Sequence, residues 1–244
     1  MLHRGGLYKT TSFASPKYIG DPLNAVRIFN EKEVDEIIIV DIDASRYGKD
    51  PDYKMISNLA KECCMPLCYG GGVKNVDQFK QIIELGVEKV AISSGAINDE
   101  KIISEAASKV GNQSVVGVID IKKTGLLKKP EVVSLNATLR TGLDPVELAK
   151  KFQESGAGEI VLNFVDCDGK MKGYDFRLID TMRSYISVPL TILGGAGSLE
   201  HLQELMRRYG IIGAAAGSLF VFKGKFRAVL INYPNKEEKE RLFL

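Results

Sequence analysis

The chain is poor in the residues that most often carry metal, redox or proton chemistry: 244 residues include two histidines and four cysteines. His3 sits in a start expected to fray, and His201 on a helix expected to lie away from any site, so both are weak catalytic candidates. Cys63, Cys64, Cys68 and Cys167 lack the repeated C-x2-C spacing of a zinc site, and an adjacent pair does not readily chelate one ion. Buried, reduced thiols and a cytoplasmic address are expected, with no metal and no cofactor implied. No apolar run approaches the ~18 residues of a membrane span, and Met1-Leu2-His3-Arg4 is too short and too polar for a secretory leader. Nor is there a block of like charge: Lys236–Arg241 mixes signs, and the formal net charge is only +2. These shortages argue against nucleic acid and membranes as partners.

What the chain does have is a half written twice. Asp21-Pro22 recurs as Asp144-Pro145 and Glu36 as Glu159, each about 123 positions later. Gly70-Gly71 returns as Gly194-Gly195 and Ser94 as Ser218, with one slipped position. Such an ordered match indicates one supersecondary plan used twice.

Short apolar runs alternate with helical stretches throughout. The expected strands are Ile37–Ile42, Pro66–Tyr69, Lys89–Ser93, Val115–Ile121, Glu159–Phe164, Val188–Leu193 and Ile211–Ala216. Between them fall helices at Pro51–Cys63, Val76–Leu85, Asp99–Val110, Pro145–Ser155, Asp175–Tyr185 and Leu199–Arg208, with Phe226–Asn232 closing the series. Continuous apolar strands joined through single helices imply a parallel sheet covered by helices. Seven strands, eight helices and a two-fold repeat favour one (β/α)8 TIM barrel domain over residues 1–244, with its first strand apparently truncated, since helix Pro22–Lys32 has no strand before it. Lys122–Asn136 is the one long non-helical insertion and reads as a hairpin or mobile loop.

Barrel chemistry sits at the carboxyl ends of the strands. Asp41, Gly70, Gly71, Gly72, Ser93, Ser94, Asp120, Asn163, Asp166, Asp168, Gly169, Gly194, Gly195, Gly197, Gly217 and Ser218 all fall there. Glycine lets backbone N–H groups approach an anion without a Cβ in the way, and the serines add hydroxyl donors. Tight turn geometry explains either glycine cluster alone. Two equivalent clusters, each with its serine, suit a ligand carrying a phosphate at each end. Asp120 ends an otherwise apolar strand, which makes it a candidate general acid or base, or else an ion-pair partner of Lys122 or Lys123. Of Asp166 and Asp168, one is expected to position substrate and the other to cap Gly169, with Asp41 and Asp43 in like roles. At the opposite ends of their strands, Glu36, Lys89 and Glu159 read singly as solvated strand starts. Together they would make a ring of alternating charge, a gate or docking surface.

Taken in order, Gly20-Asp21-Pro22, Asp35-Glu36-Ile37, Gly70-Gly71-Gly72, Val118-Ile119-Asp120, Thr141-Gly142-Leu143-Asp144, Gly156-Ala157-Gly158-Glu159-Ile160, the 166–175 loop and Gly194-Gly195-Ala196-Gly197 resemble the HisF family, the cyclase subunit of imidazole glycerol phosphate synthase. The resemblance covers essentially the whole chain from Gly5. It implies a HisH-like glutaminase partner docked on the amino-terminal face and ammonia passing a gate of Glu36, Lys89 and Glu159. It further implies a phosphorylated small-molecule ligand at the mouth, with Lys9 among its binding residues, and Asp120 as one of two catalytic aspartates. The other aspartate matches to about Met1, where none is present, and the family's gate arginine is absent too. The start Gly5–Thr10 and the stretch Ser15–Pro22 are similar to a side branch, the HisF-like WbuZ-type proteins that accompany the amidation of surface sugars. Phe164 and Cys167, where cyclases carry a small hydroxyl residue and an arginine, point the same way, with Phe164 expected to narrow the mouth. Three readings stay open: a sugar-amidation subunit that receives ammonia, the histidine-pathway cyclase, and a phosphate-binding isomerase without an ammonia partner.

Overall fold

The computed structural model describes residues 1–99 and 101–243. An antiparallel sheet of β1 (Leu2–His3), β2 (Gly6–Thr11) and β3 (Ala14–Gly20) opens the chain and leads into α1 (Pro22–Glu31). The first half continues as β4 (Ile37–Val40), α2 (Ile42–Tyr47), α3 (Tyr53–Glu62), β5 (Leu67–Gly70), α4 (Val76–Glu84), β6 (Lys89–Ile92), α5 (Ser94–Asn98) and α6 (Lys101–Val110). The second half begins with β7 (Val115–Thr124), β8 (Lys129–Ser134) and β9 (Leu139–Arg140), then α7 (Pro145–Glu154), β10 (Glu159–Phe164) and α8 (Phe176–Arg183). It ends with β11 (Leu190–Leu193), α9 (Leu199–Tyr209), β12 (Gly213–Ala215), α10 (Ser218–Val221), β13 (Phe222–Lys223), β14 (Ala228–Val229) and α11 (Lys236–Arg241).

The seven expected strands are β4, β5, β6, β7, β10, β11 and β12, parallel and paired in chain order. With helices between them, they form the curled sheet of a TIM-barrel fold. Alternating side chains of each strand take opposite faces. Ile160, Leu162 and Phe164 join the large apolar cluster between sheet and helices, whereas Val161 joins Cys68, Ala91 and Val116 in a small inner cluster flanked by Ile38, Val118 and Leu193. The inner side is therefore lined mainly by small side chains, and the bulk of the core lies outside the sheet.

The repeat is visible in backbone angles. Asp21 and Asp144 cap α1 and α7 at φ/ψ of −72/135° and −76/130°, each accepting a backbone N–H ahead of a proline whose missing N–H costs nothing at that position. Asn75 and Ser198 precede α4 and α9 at −154/168° and −154/169°. Gly86, Gly156 and Gly210 follow helix ends at positive φ.

Several expectations are corrected. Strand Ile37–Ile42 stops at Val40, because Asp41 accepts the N–H groups of Asp43 and Ala44 and starts a helix. The first strand is indeed short: Leu2 makes one isolated parallel bridge to Asp41, and β1 otherwise pairs antiparallel with β2. Of the two readings of the Lys122–Asn136 insertion, the hairpin is the one seen, with β7 and β8 paired antiparallel. Phe226–Asn232 is not a helix: Gly224, at φ 69°, turns the chain so that β14 pairs with β13, and the closing helix is α11, started by an Asn235/Glu238 capping box. Helix Asp99–Val110 is seen from Lys101, with Glu100 outside the described residues. All four thiols are free, but only Cys68 is buried, and Cys64 is exposed.

Gly117 of β7 has no side chain because Phe152 of α7 fills that space: a Cβ there would lie 2.7 Å from the ring. Phe152→Ala is expected to cost about 3–5 kcal/mol, read as a shift of the urea unfolding midpoint with little change in slope.

Candidate functional site

The amino-terminal ends of the strands form a charged floor. Lys89 Nζ donates to Glu36 at 2.9–3.0 Å and to Glu159 at 2.9 Å, and the Thr191 hydroxyl donates to the other Glu159 oxygen at 2.7 Å. Each of these residues occupies an inward-facing position at its strand start. Burial by itself lowers the Lys89 pKa, but the two carboxylates more than reverse this and raise it above the ordinary lysine range. Lys89 stays charged at any physiological pH. Glu36, Lys89 and Glu159 thus come together as the grouped reading expects, rather than as three solvated strand starts. Thr191 was missed, and only its inward parity on β11 could have signalled it.

Above the floor, Cys68 and Ala91 lead to a single carboxylate. Asp120 Oδ1 accepts from Asn163 Nδ2 at 2.8 Å. Burial lifts its pKa to about 7; the Asn163 bond opposes the shift and the charge of Asp168 adds to it. No ion pair to Lys122 or Lys123 forms among the described residues; Lys123 instead pairs with Asp175 at 2.6 Å. Asn163 Oδ1 and Ser93 Oγ are buried without a hydrogen-bond partner. Such orphaned polar atoms at a strand-end mouth are where a ligand's polar groups would bind.

Two glycine cradles flank this centre. Gly71 and Gly195 hold φ of 120° and 119°, and a Cβ on either would lie 2.3 Å from a backbone oxygen, of Asp41 and Gly173 respectively. Only glycine fits. No described hydrogen bond uses either N–H, so both are available to a ligand. In the first cradle, however, Gly72 N–H is directed at Ser45 Oγ (3.3 Å), and Ser94 Oγ accepts from Ser134 Oγ (2.8 Å) and Leu135 N–H (3.3 Å).

The second cradle is a small cavity walled by Lys9, Asp168, Gly169, Gly194–Ala196 and Ala215–Ser218. Lys9 Nζ reaches Asp168 Oδ1 at 2.5 Å and Thr10 O at 2.9 Å, and its chain packs on Gly217. Thr10 Oγ1 also donates to Asp168, at 3.1 Å. Arg227, a residue the sequence reading missed, donates to Ser218 Oγ at 3.2 Å and to Gly169 O at 3.2 Å.

Other expected roles change. Asp168 binds Lys9 and Thr10 rather than capping Gly169, and Asp166 accepts the Lys123 N–H at 2.7 Å. Asp41 is a helix cap whose pKa burial raises, and Asp43 accepts from His3 and the Arg4 N–H. Gly197 gives its N–H to His201 Nδ1 at 3.1 Å, so it braces the loop rather than facing a ligand, and His201 supports the site instead of lying away from it. Phe164 does not narrow the mouth: its ring lies on the helix side, with Ile121 and Leu178, because Asn163 takes the inward position.

The family model described as histidine biosynthesis protein matches residues 4–227. The "Putative imidazole glycerol phosphate synthase subunit HisF" of Leptospira interrogans is 56% identical over 100% of this chain and 96% of its own length. The "Putative imidazole glycerol phosphate synthase subunit hisF3" of Vibrio vulnificus is 51% identical, over 99% and 93%. The "Imidazole glycerol phosphate synthase subunit HisF" of Clostridium botulinum is 34% identical, over 96% and 92%.

Since the Asp120 pKa is raised on folding to about 7, the unfolded chain ionises first as pH rises, and stability is lost from about pH 4 upward until the folded carboxyl has ionised. Asp120→Asn is therefore expected to be near neutral for stability at pH 4 and to stabilise at pH 8 by up to about 4 kcal/mol, measured by urea unfolding at the two pH values.

Proposed function

The chain belongs to the histidine biosynthesis protein family, and from that premise we propose that it is a HisF-like synthase subunit of a glutamine amidotransferase complex. In this reading a HisH-like glutaminase docks on the amino-terminal face, and its ammonia passes the floor and travels inside the barrel to a phosphorylated ligand at the mouth. The names of the relatives fit such a complex. The observation that carries the reading is the vertical arrangement on the inner face. The Glu36–Lys89–Glu159 ring lies at the bottom, Cys68 and Ala91 in the middle, and Asp120 with Asn163 at the top. A partly buried ring of charge is a poor stabilising device, because desolvation offsets much of its Coulomb gain. A polar opening that admits a small neutral amine is a better account of its place. Among the described residues no helix is long and apolar enough to cross a membrane, and a cytoplasmic complex is proposed.

For the acceptor, the proposal is a sugar undergoing acetamidino modification for surface polysaccharide. Its support is that the inner face offers Asp120 without an opposed catalytic carboxylate, Met1 standing at the matching position, with its sulfur near Thr10 Oγ1. The alternative is the imidazole glycerol phosphate cyclase. It is favoured by the raised Asp120 pKa, which keeps a proton available near neutrality for general-acid work.

Adding this chain to a HisH-type glutaminase from the same organism is expected to raise glutamine hydrolysis. Lys89→Met, which leaves two carboxylates facing each other, should reduce glutamine-driven product formation roughly tenfold or more while supplied ammonium salt still supports it. An unstimulated glutaminase together with a silent Lys89 variant would refute the reading and leave the isomerase. Growth of a cyclase-deficient histidine auxotroph on this gene would select the cyclase over sugar amidation.

A further inference from the structure

The two glycine cradles match in backbone geometry but not in charge. Arg227, on the turn between β13 and β14, stands beside the second one and donates to two of the residues that wall it, Gly169 and Ser218. It sits at φ 52°, its guanidinium 4.6 Å from the Phe222 ring and its carbonyl accepting from Lys17 Nζ at 2.7 Å. One arm donates to Gly169 O and, at 3.4 Å, to Thr11 Oγ1, and the other donates to Ser218 Oγ. None of its described bonds goes to a carboxylate. Lys9, whose side chain is only 10% exposed, is cancelled by Asp168, so the guanidinium of Arg227, bonded to two wall residues of the cavity, is the charge beside it with no described carboxylate partner. A guanidinium held by neutral oxygens beside glycine N–H groups is a site awaiting an anion, with the fork geometry that suits phosphate oxygens.

Among the described residues, the first cradle is given no such charge. Of the neighbouring lysines, Lys74 is committed to Gly48 O and Asp50, and Lys49 lies over the Tyr47 ring. The nearest ionisable group packed on Gly71 is Asp41, an acid. Ser94 is engaged by Ser134 and Leu135, and the unpartnered atom there is the Ser93 hydroxyl. A dianion would meet neutral donors next to a carboxylate, whereas a ligand hydroxyl would find a partner in Ser93.

We propose that Arg227, with Lys9, makes the second cradle the sole phosphate-monoester site, and that the first takes an uncharged, hydroxyl-bearing end. The ligand is thus phosphorylated at one end only. This rests on the reading of the mouth as a phosphorylated-ligand site. Its test needs no glutaminase, so it can fail while ammonia transfer stands, and the converse also holds.

Calorimetric titration at pH 8 with inorganic phosphate, ribose 5-phosphate and ribulose 1,5-bisphosphate, with melting curves to check folding, decides the matter. One phosphate per chain is expected, with the bisphosphate binding no tighter than the monophosphate. Arg227→Met should weaken phosphate roughly tenfold to a hundredfold, and Arg227→Lys should recover part of the loss. Two phosphates per chain, a bisphosphate bound more than about tenfold tighter, an unaffected Arg227→Met protein, or no phosphate binding by the unmodified protein would each overturn it. Should Arg227→Met fail to fold, the stoichiometry and the bisphosphate comparison on the unmodified protein still decide.

Discussion

A parallel strand gives alternate side chains to opposite faces, and nearly every feature of this molecule follows from how its strands use that rule. On β10 the outward set is Ile160, Leu162 and Phe164, packed under the helices, and the inward set is Glu159, Val161 and Asn163. The same parity on β6 sends Lys89 and Ala91 inward and Val90 and Ile92 outward. Stability is thereby assigned to the outer face, where large apolar groups are removed from water. The inner face is released from that duty, and charge at the floor, small groups in the middle and a carboxylate at the mouth can be tolerated there. Shifting one strand by one residue would exchange the two sets and destroy both core and site together.

Internal duplication then explains why the site has two sides. Helix caps at Asp21 and Asp144, and the steep turns at Gly71 and Gly195, repeat to within a few degrees. Backbone geometry is costly to alter, because each of these glycines has an oxygen where a Cβ would go. Side chains that approach from outside the repeat are cheaper to change. Hairpin β2–β3 brings Lys9 and hairpin β13–β14 brings Arg227 to one cradle, while the β8–β9 turn brings Ser134 and Leu135 to the other. A symmetric scaffold thus becomes an asymmetric mouth through appended hairpins.

How much of this was legible beforehand follows the same division. All seven parallel strands could be read, since continuous apolar runs between helices report a sheet buried on both faces. Glu36, Glu159 and the glycine clusters could be read because they recur at nearly fixed spacing, and Lys89 because it stands at the amino-terminal end of its strand as the two glutamates do. What could not be read came from contacts between distant hairpins. Nothing local distinguishes Arg227 from an exposed hairpin arginine, and its partners Thr11, Gly169 and Ser218 come from three other segments. Phe164 was misjudged by a single step of parity, since its place at a strand end tells nothing about which face it takes. His201 was set aside for lying on a helix, yet α9 begins directly after the glycine loop, and His201 in its first turn reaches back to the Gly197 N–H. Phe226–Asn232, which holds β14, was mistaken for a helix because a largely apolar run of seven residues has no decisive period.

The floor and the mouth hold their charges in opposite ways, and that contrast bears on what each is for. Lys89 is saturated: two carboxylates fix it from both sides, Thr191 secures the far oxygen of Glu159, and protonation is locked. A group so held does not titrate, and it suits passage or docking better than proton transfer. Asp120 is the reverse, with one bond from Asn163, burial pressing it towards the neutral form and a pKa of about 7. Small changes around it, such as a ligand phosphate arriving near Asp168 or water leaving the mouth, would move its proton. Fixed charge at the floor and adjustable charge at the mouth is the arrangement that the proposed reading, with ammonia taken in below and used above, calls for.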